Sequence, residues 1–153
     1  MNQQTGNTNR ANHVTVELLS EMHRNVTMGS ETLSMIVPKI NGREMLANVT
    51  NQLEQYGTFT GKTEKMLAQR NVTPKDSSVM KRAMTKMGIA MNTAADSSDR
   101  HIAAMIGKGT MTGLTELTGK LHKLTSADED AVKLCQDILE FERNQTMGIL
   151  EYT

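Results

Sequence analysis

The sequence predicts an all-α protein: four long helices in two antiparallel hairpins, joined by a long crossover that contains a short Met-rich helix. Three observations predict it. Apolar residues recur at about 3.6-residue spacing in four separate segments. Two of the three connections between those segments are short, which makes the flanking helices antiparallel neighbours. No stretch alternates apolar and polar residues as a half-buried strand would. At 153 residues, one domain of this kind is long enough to bury a core.

Residues 1–11 are polar, without an apolar block, and read as a disordered tail with no secretory leader. Asn12 is the expected N-cap of the first helix. Its apolar stripe is Leu18/Leu19, Met22, Val26, Gly29, Leu33 and Ile36. Pro38 and Asn41-Gly42 then end the helix in a tight turn. The second helix carries Leu46, Val49, Leu53, Tyr56, Thr60, Thr63 and Leu67 on one face and ends around Arg70. Each of these helices would be about 40 Å long.

Pro74 stops the preceding element, and Asp76 or Ser77 caps a short helix bearing Met80, Met84, Met87 and Met91 in one stripe. A helix unbroken from there to Leu124 would be about 70 Å long. A break is therefore expected at Thr93–Ser98, where Asp96, Ser97 and Ser98 offer caps. The third long helix then runs from about Ser97 to Leu124. Its inward line is Ile102, Met105/Ile106, Gly109, Gly113, Leu117, Leu121 and Leu124. Gly107, Gly109, Gly113 and Gly119 each cost a helix about 1 kcal/mol relative to alanine. Their presence argues for close backbone approach, bulky neighbours or a kink. Ser126-Ala-Asp-Glu129 has the form of a capping box for the fourth helix. That helix turns Ala131, Leu134/Cys135, Ile138, Glu142, Gln145 and Ile149 inward.

Composition excludes several function classes. Lys+Arg and Asp+Glu balance at 17 each, which leaves no electrostatic case for nucleic acid or an anionic membrane. Aromatic residues make up 3% with no Trp, too few for base-stacking platforms. No apolar run is long enough to span a bilayer. The thirteen methionines read as adaptable core filler. The single cysteine, Cys135, forbids a disulfide framework within one chain and fits a reducing, cytoplasmic setting.

Several segments carry a resemblance: PKD at 74–76, KMGIAMNT at 86–93, HIAAMIGKGTMTG at 101–113, NVTMGSETLSMIVPKI at 25–40, NQLEQYGTFTGKTEKML at 51–67 and ILEFERNQTMGILEY at 138–152. Together they resemble a small bacterial family of ferritin-like four-helix bundles. The resemblance covers most of the chain past residue 12. It implies a ferritin-like fold and brings no settled activity and no active-site assignment. Two hairpins joined by one long connection is also ferritin-like connectivity when read from the elements alone.

A ferritin-type di-iron centre needs an inward Glu from each of two helices and Glu-x-x-His from the other two. Glu17, Glu31 and Glu54 fall off the apolar faces, Glu21 lies on a flank, and Gly109 stands at the level expected to face Glu142. Glu142 alone points inward, and Glu142-Arg-Asn-Gln145 has Gln where His would be. The expectation is a polar core cluster of Asn25, Gln52, Tyr56, Glu142 and Gln145, because an inward carboxylate needs a partner. Glu142 is the one candidate metal ligand, for iron or manganese, and no cofactor is expected. His13, His23, His101 and His122 form no metal-binding pair. Cys135 reads as an inert buried thiol.

The expected function is therefore interaction or assembly without catalysis, as a homo-oligomer, with the Met80–Met91 stripe as extra apolar surface. A reduced carboxylate metal site is one alternative. A ligand pocket opened by the glycine line of the third helix is another, and a cavity beside Gly109 and Gly113 would be its mark.

Overall fold

The structure, a computed structural model, describes residues 2–75, 86, 88–90 and 92–153, with side chains from Gly6 onward. Among the described residues it is all-α. The four long helices are α1 (Asn2–Ile36), α2 (Arg43–Ala68), α3 (Asp99–Lys123) and α4 (Glu129–Leu150). α1 packs along α2, and α3 along α4; the two hairpins meet mainly where α1 approaches α3 and α4. Residues 88–90 and 92–95 of the connection are helical, and Ile89 and Thr93 in it are buried. Met80, Met84, Met87 and Met91 lie outside the described residues.

Hydrogen bonds at the two ends of the bundle fix the direction of the connection. At one end the Asp99 carboxylate, in the first turn of α3, accepts the backbone N–H groups of Asn41 (2.9 Å) and Gly42 (2.5 Å) in the α1–α2 turn. At the other end Arg70, just past α2, donates to Asp128 at the start of α4 (2.7 Å). The Asp128 N–H there donates to buried Thr15 of α1 (2.8 Å). Arg70 and Asp99 therefore stand at opposite ends of the bundle. α3 runs antiparallel to α1, and α4 antiparallel to α2.

The core follows the predicted stripes with local shifts. Leu18, Leu19, Met22, Val26, Leu33 and Ile36 of α1 are buried, as are Ile102, Ile106 and Leu117 of α3 and Ala131, Leu134, Cys135, Ile138 and Ile149 of α4. Each fully buried Leu or Ile contributes about 1.5–3 kcal/mol. On α2 the buried line is Met45, Val49, Gln52, Tyr56, Phe59, Thr63 and Leu67. From Met45 to Thr63 its steps alternate between four residues and three, which is a heptad seam, and a further step of four reaches Leu67. Leu46, Leu53 and Thr60, expected inward, sit half-buried one step off it. Phase rather than hydrophobicity decides which residues turn inward: Gln52 belongs to the seam and Leu53 to its edge.

Three boundaries differ from expectation. α1 begins at Asn2 rather than at an Asn12 cap. Asn is only mildly unfavourable inside a helix, and residues 6–10 are exposed, so this overhang adds helix without core. α2 ends at Ala68, and Asn71 takes a left-handed φ of 57° that lets the Val72 N–H return to the Leu67 carbonyl (3.0 Å). The Ser126/Glu129 capping box does not form. α4 starts two residues later, with Asp128 as N-cap. The Asp128 side chain, with no capping bond to its own helix, is engaged by Arg70 instead. The α3 boundary falls within a residue or two of expectation, with Ser98 Oγ accepting the His101 N–H (3.2 Å).

Asp99→Ala strands the Asn41 and Gly42 N–H groups and is expected to lower stability by about 1–2 kcal/mol in chemical denaturation. Gly42→Ala should do similar damage, because its new Cβ would lie 2.7 Å from Asp99 Oδ2. Unchanged denaturation midpoints for both would show that this contact does not hold the hairpins in register.

Candidate functional site

The site begins with one expensive residue. Glu142 lies two turns from the end of α4 on its inward face and is 1% exposed. A carboxylate this deep must find partners or give up its charge. It does some of both. Tyr56 of α2 donates its hydroxyl to Glu142 Oε1 (3.1 Å). Burial pushes the Glu142 carboxyl up to about 7, against the weaker opposing pull of Asn25 and Tyr56. The same burial, reinforced by the Glu142 charge, drives the Tyr56 phenol far above its ordinary range, so it stays a donor. The Cys135 thiol, also buried, is pushed up to about 12 by burial and then by Glu142. It is inert as a nucleophile at neutral pH.

The other Glu142 oxygen has no such partner. Oε2 is buried and unpaired, and so is Nδ2 of Asn25 on α1, which faces the same carboxylate without forming a hydrogen bond of normal geometry. Thr110 of α3 completes the group by approaching the Tyr56 hydroxyl. One polar side chain from each of the four helices thus converges on one point. Phe141 supports the Tyr56 ring edge-on (centroids 5.1 Å apart), and Phe59 packs against Phe141 (5.4 Å).

Two glycines make the convergence sterically possible. A Cβ on Gly29 would lie 2.7 Å from Tyr56 Cζ, and a Cβ on Gly113 would lie 2.7 Å from Asn25 Oδ1. Gly29 admits the tyrosine ring and Gly113 the asparagine amide. Gly107 has a different task, seating Leu150 and Ile149 at the α3–α4 seam.

Above this polar floor is a cavity of about 370 Å³ between α1 and α3. Leu33, Ile36, Ile106 and Leu117 give it apolar walls, and Ile89 from the connection closes one side. Met28, Gly109, Thr112 and Glu116, all exposed, form its rim. Glu142, Tyr56 and Asn25 are its polar lining at depth.

Of the five residues expected to cluster, three come together: Asn25, Tyr56 and Glu142. Gln52 is buried but turns aside, donating to Asn48 on its own helix (2.7 Å). Gln145 is half-buried, because Thr146 takes the inward position and donates back to the Glu142 carbonyl (2.9 Å). Gly109 does not pack against Glu142 as its spacing suggested. It is exposed, with open space where a Cβ would be, and it borders the cavity that leads to Glu142. Thr110 was missed. Its one signal is its place directly after Gly109 on a face that glycines keep open.

The donor set does not suit a ferritin-type metal centre. Among the described residues no three His, Cys, Asp or Glu side chains converge. Glu142 faces a phenol and an amide, and an amide N–H cannot ligate a cation. His23 is engaged with Glu64 (3.3 Å) across the α1–α2 seam. His101 leaves Nε2 buried and unpaired at the far end of α3. No helix among the described residues is long and apolar enough to cross a membrane. No family model and no curated protein matches this sequence.

Because folding raises the Glu142 pKa, the residue's contribution to stability is fullest below its ordinary value of 4.5 and is lost as pH rises through about 7. At one pKa unit per 1.36 kcal/mol, the full loss is roughly 3 kcal/mol. Glu142→Gln, which cannot ionise, is expected to match the parent near pH 4 and to exceed it increasingly as pH rises to about 7 in urea denaturation. Parallel stability curves for the two proteins across that interval would contradict the burial of an ionisable group here.

Proposed function

We propose that this bundle binds a small, largely apolar molecule in the cleft between α1 and α3. The observation that carries the reading is the cavity itself: about 370 Å³, apolar in its walls, with Glu142, Tyr56 and Asn25 among the side chains that line it. A cavity of about 150 Å³ holds one benzene, so this one takes a ligand of roughly a dozen heavy atoms. Its mixture of apolar surface and a few convergent polar groups, two of them with raised pKa values, is that of a small-molecule site. We read the fold as ferritin-like, since the connection returns lengthwise between two hairpins. Such bundles build ligand and cofactor sites between facing helices, and here Glu142 is, among the described residues, the buried carboxylate that lines that position.

Self-assembly is the second reading, favoured by one observation. Met111, Met147 and Leu150 are exposed at 48%, 67% and 43%, all on the second hairpin. A homo-oligomer would cover them. A monomer in light scattering at high concentration would remove that role and leave the ligand site untouched.

Gly109 separates ligand binding from stability. It borders the cavity, and a side chain there meets open space. Gly109→Ala is expected to raise stability by up to about 1 kcal/mol through helix propensity alone. Gly109→Phe should keep the fold and fill the cleft. Small aromatic molecules screened by ligand-observed NMR should bind the parent and lose binding in Gly109→Phe. Equal binding by both proteins would place the ligand elsewhere.

A further inference from the structure

Met147 is the most exposed large apolar side chain among the described residues. Thr146 and Ile149 beside it are buried, so Met147 stands on the side of α4 turned away from the core. Leu150, also exposed, lies one turn further on and covers Gly107 of α3, where a Cβ would be 3.2 Å from Leu150 Cδ2. α3 and α4 are antiparallel. One turn forward along α3 from Gly107 and one turn back along α4 from Leu150 therefore bring exposed Met111 alongside Met147. The three side chains make one apolar patch. Arg143 and Glu151 bracket it on α4: both are exposed, and each is four residues from Met147 on the same face. Glu151 keeps helical backbone angles (φ −64°, ψ −19°), so that spacing carries through the end of the helix. Neither charge enters any ion pair among the described residues.

Resting on the self-assembly reading above, we infer that two copies of this chain pair through this face of α4, antiparallel, about a two-fold axis at Met147. The charges dictate the orientation. In an antiparallel pair centred on Met147, the residue four places before it in one copy meets the residue four places after it in the other. Arg143 of each copy then faces Glu151 of the other, and the symmetry forms the contact twice. A parallel pair would set Arg143 against Arg143 and Glu151 against Glu151, and like charges so placed repel. Met147 packs against its own symmetry mate, with Met111 and Leu150 beside it. Methionine suits such a contact because its unbranched side chain adapts to what it meets. A closed two-fold admits two copies and no more. Three apolar side chains and two ion pairs make a small interface, in the weak class that buries under about 1,200 Å². None of these five residues lines the cleft between α1 and α3, so pairing and ligand binding are separable.

Sedimentation equilibrium of the full chain, over roughly 10 μM to 1 mM, tests this. The parent is expected to pass from monomer to dimer with no larger species. Arg143→Glu and Glu151→Arg each turn both ion pairs into like-charge contacts, and each should weaken dimerisation at least about tenfold. Both positions are exposed, so neither change disturbs the core. Mixing the two variants in equal amounts restores opposite charges at both contacts, and the mixture should form mixed dimers as readily as the parent forms its own. The double variant, Arg143→Glu with Glu151→Arg, should also dimerise like the parent. Met147→Ser, which removes the apolar contact at the axis without altering charge, should weaken the dimer. Dimerisation that survives both single charge changes, or a mixture that fails to pair, would overturn this interface while leaving self-assembly through another face. Species larger than a dimer would overturn the closed two-fold. A parent that stays monomeric across the range would overturn both this interface and the self-assembly reading beneath it.

Discussion

One carboxylate buried where four helices meet constrains the rest of this molecule. Glu142 sits in a core that is mostly Leu, Ile, Val and Met, and moving its charge out of water is costly. The surrounding sequence is arranged around that cost. Tyr56 meets one oxygen, Asn25 faces the other, and Thr110 approaches the phenol that meets the first. Phe141 and Phe59 hold the tyrosine ring in place. Substituting any one of these alters the environment of all, because a half-satisfied polar group in a low-dielectric core strengthens whatever contact remains and penalises whatever is missing.

The glycines take their meaning from the same constraint. Gly29 and Gly113 lie on facing helices, and each occupies the one place where a methyl group would displace a member of the polar group. Gly109, one turn before Gly113, has open space where a Cβ would be and borders the cleft instead. The α1–α3 seam is therefore close at Gly113 and hollow at Gly109. The short range of that change lets a solvent-facing opening reach a carboxylate that is itself 1% exposed.

Helix existence, the two hairpins and the long connection were legible in the sequence because each rests on local signals. Periodic apolar residues, Pro38 and Asn41-Gly42 depend on no distant contact. The α2 seam was harder, since Leu46 and Leu53 are more hydrophobic than Gln52, while the heptad phase set by Val49, Tyr56 and Thr63 decides which residue turns inward. The α4 start was misjudged because Asp128 answers to Arg70, 58 residues away in sequence, rather than to its own helix. For the site, the inward carboxylate and two of its partners could be read from phase alone. Gln145 could not be excluded that way, because it and Thr146 are adjacent and small rotations of α4 exchange them. The cavity was legible only as a possibility attached to the glycine line. Whether a glycine admits a neighbour or leaves a void depends on side chains from another helix.

The end contacts connect this local chemistry to the fold. A cleft between hairpins keeps its shape only if the hairpins cannot slide, since a shift of one helical turn would carry Gly113 away from Asn25 and Gly29 away from Tyr56. The seam itself resists sliding weakly, because it is hollow along part of its length. Resistance comes from beyond it: Asp99 pins the start of α3 to the α1–α2 turn, and Arg70 and Thr15 pin the start of α4 to the opposite end. These bonds are polar and partly solvated, so each is modest in energy, but they act at the two ends of helices about 35 Å long. A small displacement at an end is therefore a small displacement at the centre, and the register of the polar floor is set from its two ends inward.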